Sequence, residues 1–211
     1  MGTFQLLRRV GAQAAIVETW AGLQQDKPVL LKRLEARAGL AERLGELTRS
    51  YRATGMPAVL GVGLAGETPW VVVEGADGES LRWLMSTLAR ASGFIAPNEG
   101  LAVVAKVAEV LAKLHAEGVV HGDVCPSTIF VTARGEVQLH DTGLAALLGS
   151  HPELGPTRSE VNSLAPEQLT GPATPATDVF RLGLLLYELA IGRPLWTGPS
   201  PGHLCVAASS W

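Results

Sequence analysis

Near the N-terminus the apolar positions come in short runs cut by polar turns: residues 4–10 (FQLLRRV), 14–20 (AAIVETW) and 28–34 (PVLLKRL), the last preceded by the polar turn Gln24-Gln25-Asp26-Lys27. Runs of this length bounded by turn formers predict three strands. The period then changes. Leu40, Leu44, Leu47 and Tyr51 recur at helical spacing with charges between them, which predicts a helix over 35–53. AVLGVGLAG (58–66) and TPWVVVEGADGESLRWLM (68–85) predict two further strands and a short helix.

The strongest helical pattern lies over 99–117. There Leu101, Val104, Ala108 and Leu111, with Val103, Val107, Val110 and Leu114, tile one broad face, Asn98 is positioned as a cap and Gly118 as a stop. Beyond it, Val119-Val120, Ile129-Phe130-Val131 and the alternating pair Val137, Leu139 predict three short strands, the last two joined by the turn Ala133-Arg134-Gly135-Glu136. Residues 144–163 have little periodicity and hold Pro152, Gly155, Pro156, Thr157, Ser159 and Ser163, so they predict a loop. A final helix follows Asp178, with Leu182, Leu185, Leu186 and Leu189 directed inward.

This pattern sets two carboxylates, Asp123 and Asp141, at loop positions just after apolar strands. Such sites suit general bases and metal ligands, because a rigid floor fixes the geometry while the loop leaves the oxygens accessible. Asp is also common in turns for purely local hydrogen-bonding reasons. Composition narrows the field. A chain of 211 residues, 47% apolar, can bury one sizeable core as a single domain or two small lobes. A net charge of -3 argues against nucleic acid as a partner. Cys125 and Cys205 are too few for a disulfide framework, which suits a cytoplasmic setting. The apolar windows 101–114 and 179–191 are broken by Lys106, Glu109 and Lys113 and by Arg181 and Glu188, so they read as helices of a folded core and predict no membrane span.

The two acidic loops and their neighbours resemble the catalytic core of the eukaryotic-type protein kinases, including the bacterial Ser/Thr kinases. HGDVCPSTIFV (121–131) lies over the family's HRDLKPxNIL loop and HDTGLA (140–145) over D-F-G; LAPEQL (164–169) lies over A-P-E, and ATDVFRLGLLLYELAIGRPLW (176–196) over the long helix that follows. The resemblance implies an α+β, two-lobed fold: a small β-rich N-lobe with the start of the hinge over 1–75, and a mainly helical, incomplete C-lobe over 76–211. It also implies that Lys32, Asp123 and Asp141 face one cleft, with a hinge near Glu74 to Asp77.

The same resemblance implies roles. Asp123 would be the catalytic base, Lys32 (in VLLK, over V-A-I-K) the phosphate-binding cation, and Glu46 its ion-pair partner, with Glu42 as the alternative. Gly11, Val17, Leu30, Val73, Glu74, Ala76 and Phe130, with Lys32, would line the nucleotide site; Gly75 would make the hinge flexible. Asp141 and Thr128 would hold Mg²⁺, and Asp178 would brace the catalytic loop from below. ATP and Mg²⁺ are the implied ligands and a protein the implied substrate or partner.

Several positions depart from the family pattern. Only Gly11 of the Gly-rich loop survives in VGAQAAIVETW, and Leu30 stands where the family has an Ala against adenine. Thr128 replaces the metal-binding Asn, Cys125 the loop Lys, Thr142 the D-F-G Phe and Gly122 the HRD Arg. The family continues through several more helices after GRPLW, so the resemblance implies a C-lobe without its last helices, leaving Glu167 and the outer face of the 178–191 helix without their usual partners. The Gly122 change removes a regulatory handle more than chemistry, whereas those in the Gly-rich loop, the adenine pocket, the metal site and at the loop Lys run in one direction, so two readings follow: a kinase domain of weak activity, or a pseudokinase acting as a binding or regulatory scaffold. D-T-G also marks aspartic proteases, whose two carboxylates share a proton; that reading leaves the other motifs unexplained, and here D-T-G occurs once and is followed by Leu144.

Overall fold

We describe residues 4–13, 16–34, 56–142, 144, 164–169 and 171–195 of a computed structural model. The chain divides into two compact units, Met1–Glu79 with Phe130–His140, and Ser80–Ile129 with Asp141–Trp211.

The first unit is built on a five-stranded antiparallel sheet. Its strands are β1 (Gln5–Gln13), β2 (Ile16–Gln24), β3 (Lys27–Leu34), β4 (Val59–Ala65) and β5 (Thr68–Glu74), in spatial order β1-β2-β3-β5-β4. The three N-terminal apolar runs are strands, as their pattern predicts. The β2–β3 turn places Gln25 and Asp26 at φ 50° and 61°; two consecutive left-handed residues follow the twist of the flanking strands, as in a type I′ hairpin. Central strand β3 is covered on both faces: Val29, Leu30, Leu31 and Lys32 are all buried. One cluster packs Val29, Leu31 and Val72 against Phe4, Trp20 and Trp70. A second, three-stranded sheet has the order β6 (Gly78–Ser80), β7 (Ile129–Thr132), β8 (Val137–Leu139). Its β7–β8 turn is closed by Thr132, whose Oγ1 accepts from the N–H groups of Arg134 and Glu136, with Gly135 at φ 78°.

The second unit is helical, with α1 (Leu81–Arg90), α2 (Pro97–Ala116) and α3 (Pro175–Ile191). Ser80 caps α1 by accepting from the Trp83 N–H. At the start of α2 the cap is Ala96, which contributes no side-chain bond; Pro97 opens the helix and Asn98 lies inside its first turn. Proline at the first helical position removes one of the unpaired N–H groups of the helix start, and its fixed φ suits the first turn. The buried stripe of α2 is narrower than the sequence pattern: Gly100, Val104, Val107, Leu111 and Leu114 are buried, whereas Leu101 is 58% exposed. Gly100 comes against Leu189 of α3, where an added Cβ would lie 3.3 Å from the Leu189 Cβ. Val119-Val120 is not a strand. Gly118, at φ 74°, ends α2, and the Val119 N–H folds back to the Leu114 carbonyl.

The predicted helix over 35–53, and with it Glu42 and Glu46, lies outside the described residues, as does most of the 144–163 loop. Gly75 has a structural reason other than hinge freedom: a Cβ there would lie 2.7 Å from the Pro28 carbonyl carbon and the Val29 nitrogen. Gly78 is tighter still, with Val131 O 2.2 Å and Thr132 Cα 2.6 Å from a built Cβ. Gly61 in β4 has nothing within 4 Å. We therefore expect Gly78→Ala to cost about 1–3 kcal/mol in urea denaturation and Gly61→Ala to stay within about 0.5 kcal/mol of the unchanged chain. Equal losses at the two positions would contradict this packing.

Candidate functional site

The loop 121–128 runs between α2 and β7 and is organised by a carboxylate beneath it. Asp178, in the first turn of α3, has 0% relative exposure. Its Oδ1 accepts from the Gly122 N–H at 2.7 Å, and its Oδ2 from the His121 N–H at 2.9 Å and from His115 Nε2 at 2.8 Å. An ionised carboxylate only accepts, so the proton of that last bond belongs to His115. Asp178 thus braces the loop, as the resemblance implied. Gly122 carries the bend at φ 79°, a left-handed conformation that costs glycine nothing.

Above this anchor the loop closes on itself. The Asp123 N–H donates to His121 Nδ1 at 3.1 Å, and His121 is fully buried. Thr128 Oγ1 accepts from the Cys125 N–H at 3.1 Å and lies 3.1 Å from the Asp123 carbonyl and 2.9 Å from the Cys125 carbonyl. The Thr128 hydroxyl therefore completes a turn, and its one proton is spent within the loop. The N-terminus of α1 joins the same structure, since the Arg82 N–H donates to the Pro126 carbonyl.

Asp141 is part-exposed at φ 69°. A left-handed non-glycine residue is uncommon, although Asp tolerates it better than most, and such conformations gather at functional sites. Thr142 and Leu144 beside it are buried, and the Leu144 N–H bonds the Asp141 carbonyl. Asp123, Thr128 and Asp141 belong to the second unit. Among the described residues no three His, Cys, Asp or Glu side chains cluster as a ready-made metal site.

The remaining predicted positions lie in the first unit. Lys32 is 2% exposed in β3, paired in register with Thr19 of β2 and Val71 of β5. Leu30 and Val73 are buried and face one another in the β3–β5 register. The Glu74 N–H donates to the Ala58 carbonyl and the Gly75 N–H to the Pro28 carbonyl, which fixes the chain just before Ala76. Phe130, in β7, is buried with its ring centroid 4.4 Å from that of His140. Gly11 lies in β1 opposite Thr19, and Val17 lies in β2. The stretch read as a degenerate Gly-rich loop is the β1–β2 hairpin.

Sequence reasoning missed Arg181. It projects from α3 into the second unit, is 3% exposed, and its Nη2 donates to Asp123 Oδ1. Its Nε donates to the Val124 carbonyl at 3.1 Å and its Nη1 to Gln168 Oε1 at 3.3 Å. Gln168 in turn accepts from the Ala165 N–H and donates to the Gly122 carbonyl. The expectation that Glu167 lacks a partner is also corrected: its Oε1 accepts from the Thr177 hydroxyl at 2.6 Å.

Cys125, where the resembled loop has Lys, brings no charge. Burial, with the Asp123 carboxylate nearby, pushes its thiol up to about 11. At pH 8 only about one thiol in a thousand is then the reactive thiolate. With Cys205 changed to Ser, we expect iodoacetamide to alkylate Cys125 about a hundredfold more slowly than a free cysteine. Asp123→Asn removes the neighbouring anion and should speed the reaction. Alkylation of the native chain at the rate of a free thiol would contradict this description.

The protein kinase domain family matches residues 58–205. The chain is 33% identical to the serine/threonine-protein kinase PknB of Mycobacterium leprae over 65% of its own length and 22% of that protein's. It is 31% identical to the serine/threonine-protein kinase pkn2 of Myxococcus xanthus over 95% and 26%, and 35% identical to PknL of Mycobacterium bovis over 83% and 45%. The chain thus spans between about a fifth and a half of the length of these relatives. A family match over most of the chain, a β-sheet unit followed by a helical one, and the loop held by Asp178 agree: the chain belongs to the protein kinase family, of the bacterial Ser/Thr type, and has its two-lobed α+β fold.

Proposed function

We propose that the chain is a cytoplasmic signalling domain that binds Mg²⁺-ATP and transfers the γ-phosphate to a protein hydroxyl slowly. What supports the reading is the loop 121–128, which the buried Asp178 carboxylate holds by two consecutive backbone N–H groups with Asp123 next in line. In this reading Lys32, Asp123 and Asp141 are the three groups that act on the nucleotide and the acceptor. Asp123 accepts the proton of the acceptor hydroxyl and orients it, a group needed in the transition state more than in the ground state. Lys32, with Glu46 as its partner, holds the phosphates. Leu30, Val73 and Phe130 cover the base, the backbone at Glu74 and Ala76 reads its edge, and Gly11 and Val17 close over it from the β1–β2 hairpin.

The donor set fits one metal ion better than two. Asp141 offers a part-exposed carboxylate, whereas Thr128 is buried with its hydroxyl engaged by Cys125. Mg²⁺, when bound, would neutralise charge on the phosphate oxygens. Leu30 is buried where the family has a smaller residue, and this narrows the space for a base.

These same features favour a second reading, a pseudokinase that serves as a binding or regulatory scaffold. Among the described residues no helix is long and apolar enough to cross a membrane. The charge balance, with 17 Lys and Arg against 20 Asp and Glu, gives no basis for a nucleic-acid partner.

A ligand that binds the folded state must raise the apparent melting temperature. We expect millimolar ATP with Mg²⁺ to raise it, and ATP alone to raise it less. No shift under either condition would favour the scaffold. Where autophosphorylation is measurable, Asp123→Asn should reduce it by about 10²–10⁴-fold with the ATP-induced shift retained; full turnover in that variant would remove Asp123 from the base role.

A further inference from the structure

The Arg181 guanidinium is nearly inaccessible to water, and each of its nitrogens has a named acceptor: Val124 O, Gln168 Oε1 and Asp123 Oδ1. A buried cation needs an anion and a filled hydrogen-bond shell, and this one takes its anion from the acidic residue of the loop. The resembled loop carries a cation of its own, a Lys at the position of Cys125, two residues beyond Asp123. Here that cation is absent and another enters from α3, beneath.

The side chain at 125 lies within electrostatic reach of both groups. Asp123 raises the Cys125 thiol pKa and Arg181 lowers it. Position 125 and Arg181 are thus two places from which a positive charge can act on one carboxylate.

We propose that Arg181 is a positioning residue for Asp123: it supplies from α3 the positive charge that the loop lacks at 125, and by holding Oδ1 it fixes the carboxylate in one orientation. The Gln168 link extends the same hold to the turn at Pro166–Leu169 and to the Gly122 carbonyl. A buried guanidinium cannot also reach out to a phosphate group, so the substitution keeps the base ordered without restoring the cation at the transferred group. The inference rests on the reading of Asp123 as the base.

The test moves the charge back. In the chain with Arg181 present, Cys125→Lys brings a second cation to a carboxylate already paired, and should lower the urea denaturation midpoint. Arg181→Ser, which takes the guanidinium away from Asp123 and Val124 O, should also lower it. On the Arg181→Ser background Cys125→Lys should raise the midpoint, a reversal of sign that neutral Cys125→Met should not show. Where Arg181→Ser does not fold, Arg181→Met keeps the buried stem; recovery of folding by Cys125→Lys in either background counts as the same reversal.

If phosphotransfer is measurable, Arg181→Ser should lower kcat by about a hundredfold with KM for ATP unchanged, and Cys125→Lys should return part of it. Cys125→Lys acting with the same sign and size whether or not Arg181 is present would overturn the proposal. So would a Cys125→Lys single variant as stable as the unchanged chain, a comparison that needs no second substitution. An unchanged chain that transfers no phosphate would sink the kinase reading alone, because the denaturation midpoints report the charge relocation without turnover.

Discussion

A carboxylate with no exposed surface must be surrounded by donors, and Asp178 is surrounded by those of the loop it supports. Two of its three bonds go to consecutive backbone N–H groups, His121 and Gly122, and the third comes from His115 near the end of α2. Removing water from a carboxylate is costly unless such donors are in place. The loop is therefore not free to leave α3, and α2, the loop and the start of α3 form one cooperative piece. The position of Asp123 follows from this anchor, one residue beyond the second bond.

The buried face of α3 is unusual in what it buries. Thr177, Asp178, Arg181 and Glu188 are on it together with Leu185 and Leu189. Glu188 pairs with Arg82 of α1 at 2.7 Å, so the three charged residues of this face hold two pieces: the loop, at His121 and Gly122 by Asp178 and at Asp123 and Val124 by Arg181, and α1 by Glu188. Groups of this kind contribute little net stability compared with apolar packing, but each fixes one arrangement, because a misplaced partner leaves a buried charge unpaired. A helix that reads as a plain apolar core element is thereby the fixture on which the loop is aligned.

Much of this was legible in the sequence. Alternation and turn formers located β1 to β5, and the order of the acidic loops located Asp123, Asp141 and Asp178. The failures share a cause: local pattern ranks residues by type, whereas burial is decided by neighbours distant in sequence. In the sequence Arg181 is only a charge that interrupts an apolar helix, because its partners Asp123 and Val124 are 58 and 57 residues away. Leu186 was directed inward by its type and is 40% exposed. Val119-Val120 has the composition of a strand, yet the end of α2 takes the Val119 N–H first. Gly75 suggested freedom, where the constraint is the backbone of Pro28 and Val29 packed against it.

Amide hydrogen exchange at two residues tests the anchoring most directly. If the buried carboxylate of Asp178 holds the loop, the His121 and Gly122 amides should exchange only through the largest opening of the second unit, at the rate of the α3 core amides near Leu185. Asp178→Asn, which keeps the shape but puts an amide in place of one acceptor oxygen, should release those two amides far more than the Leu185 amide. Exchange of His121 and Gly122 at the rate of an open loop in the unchanged chain, or protection indifferent to residue 178, would contradict it.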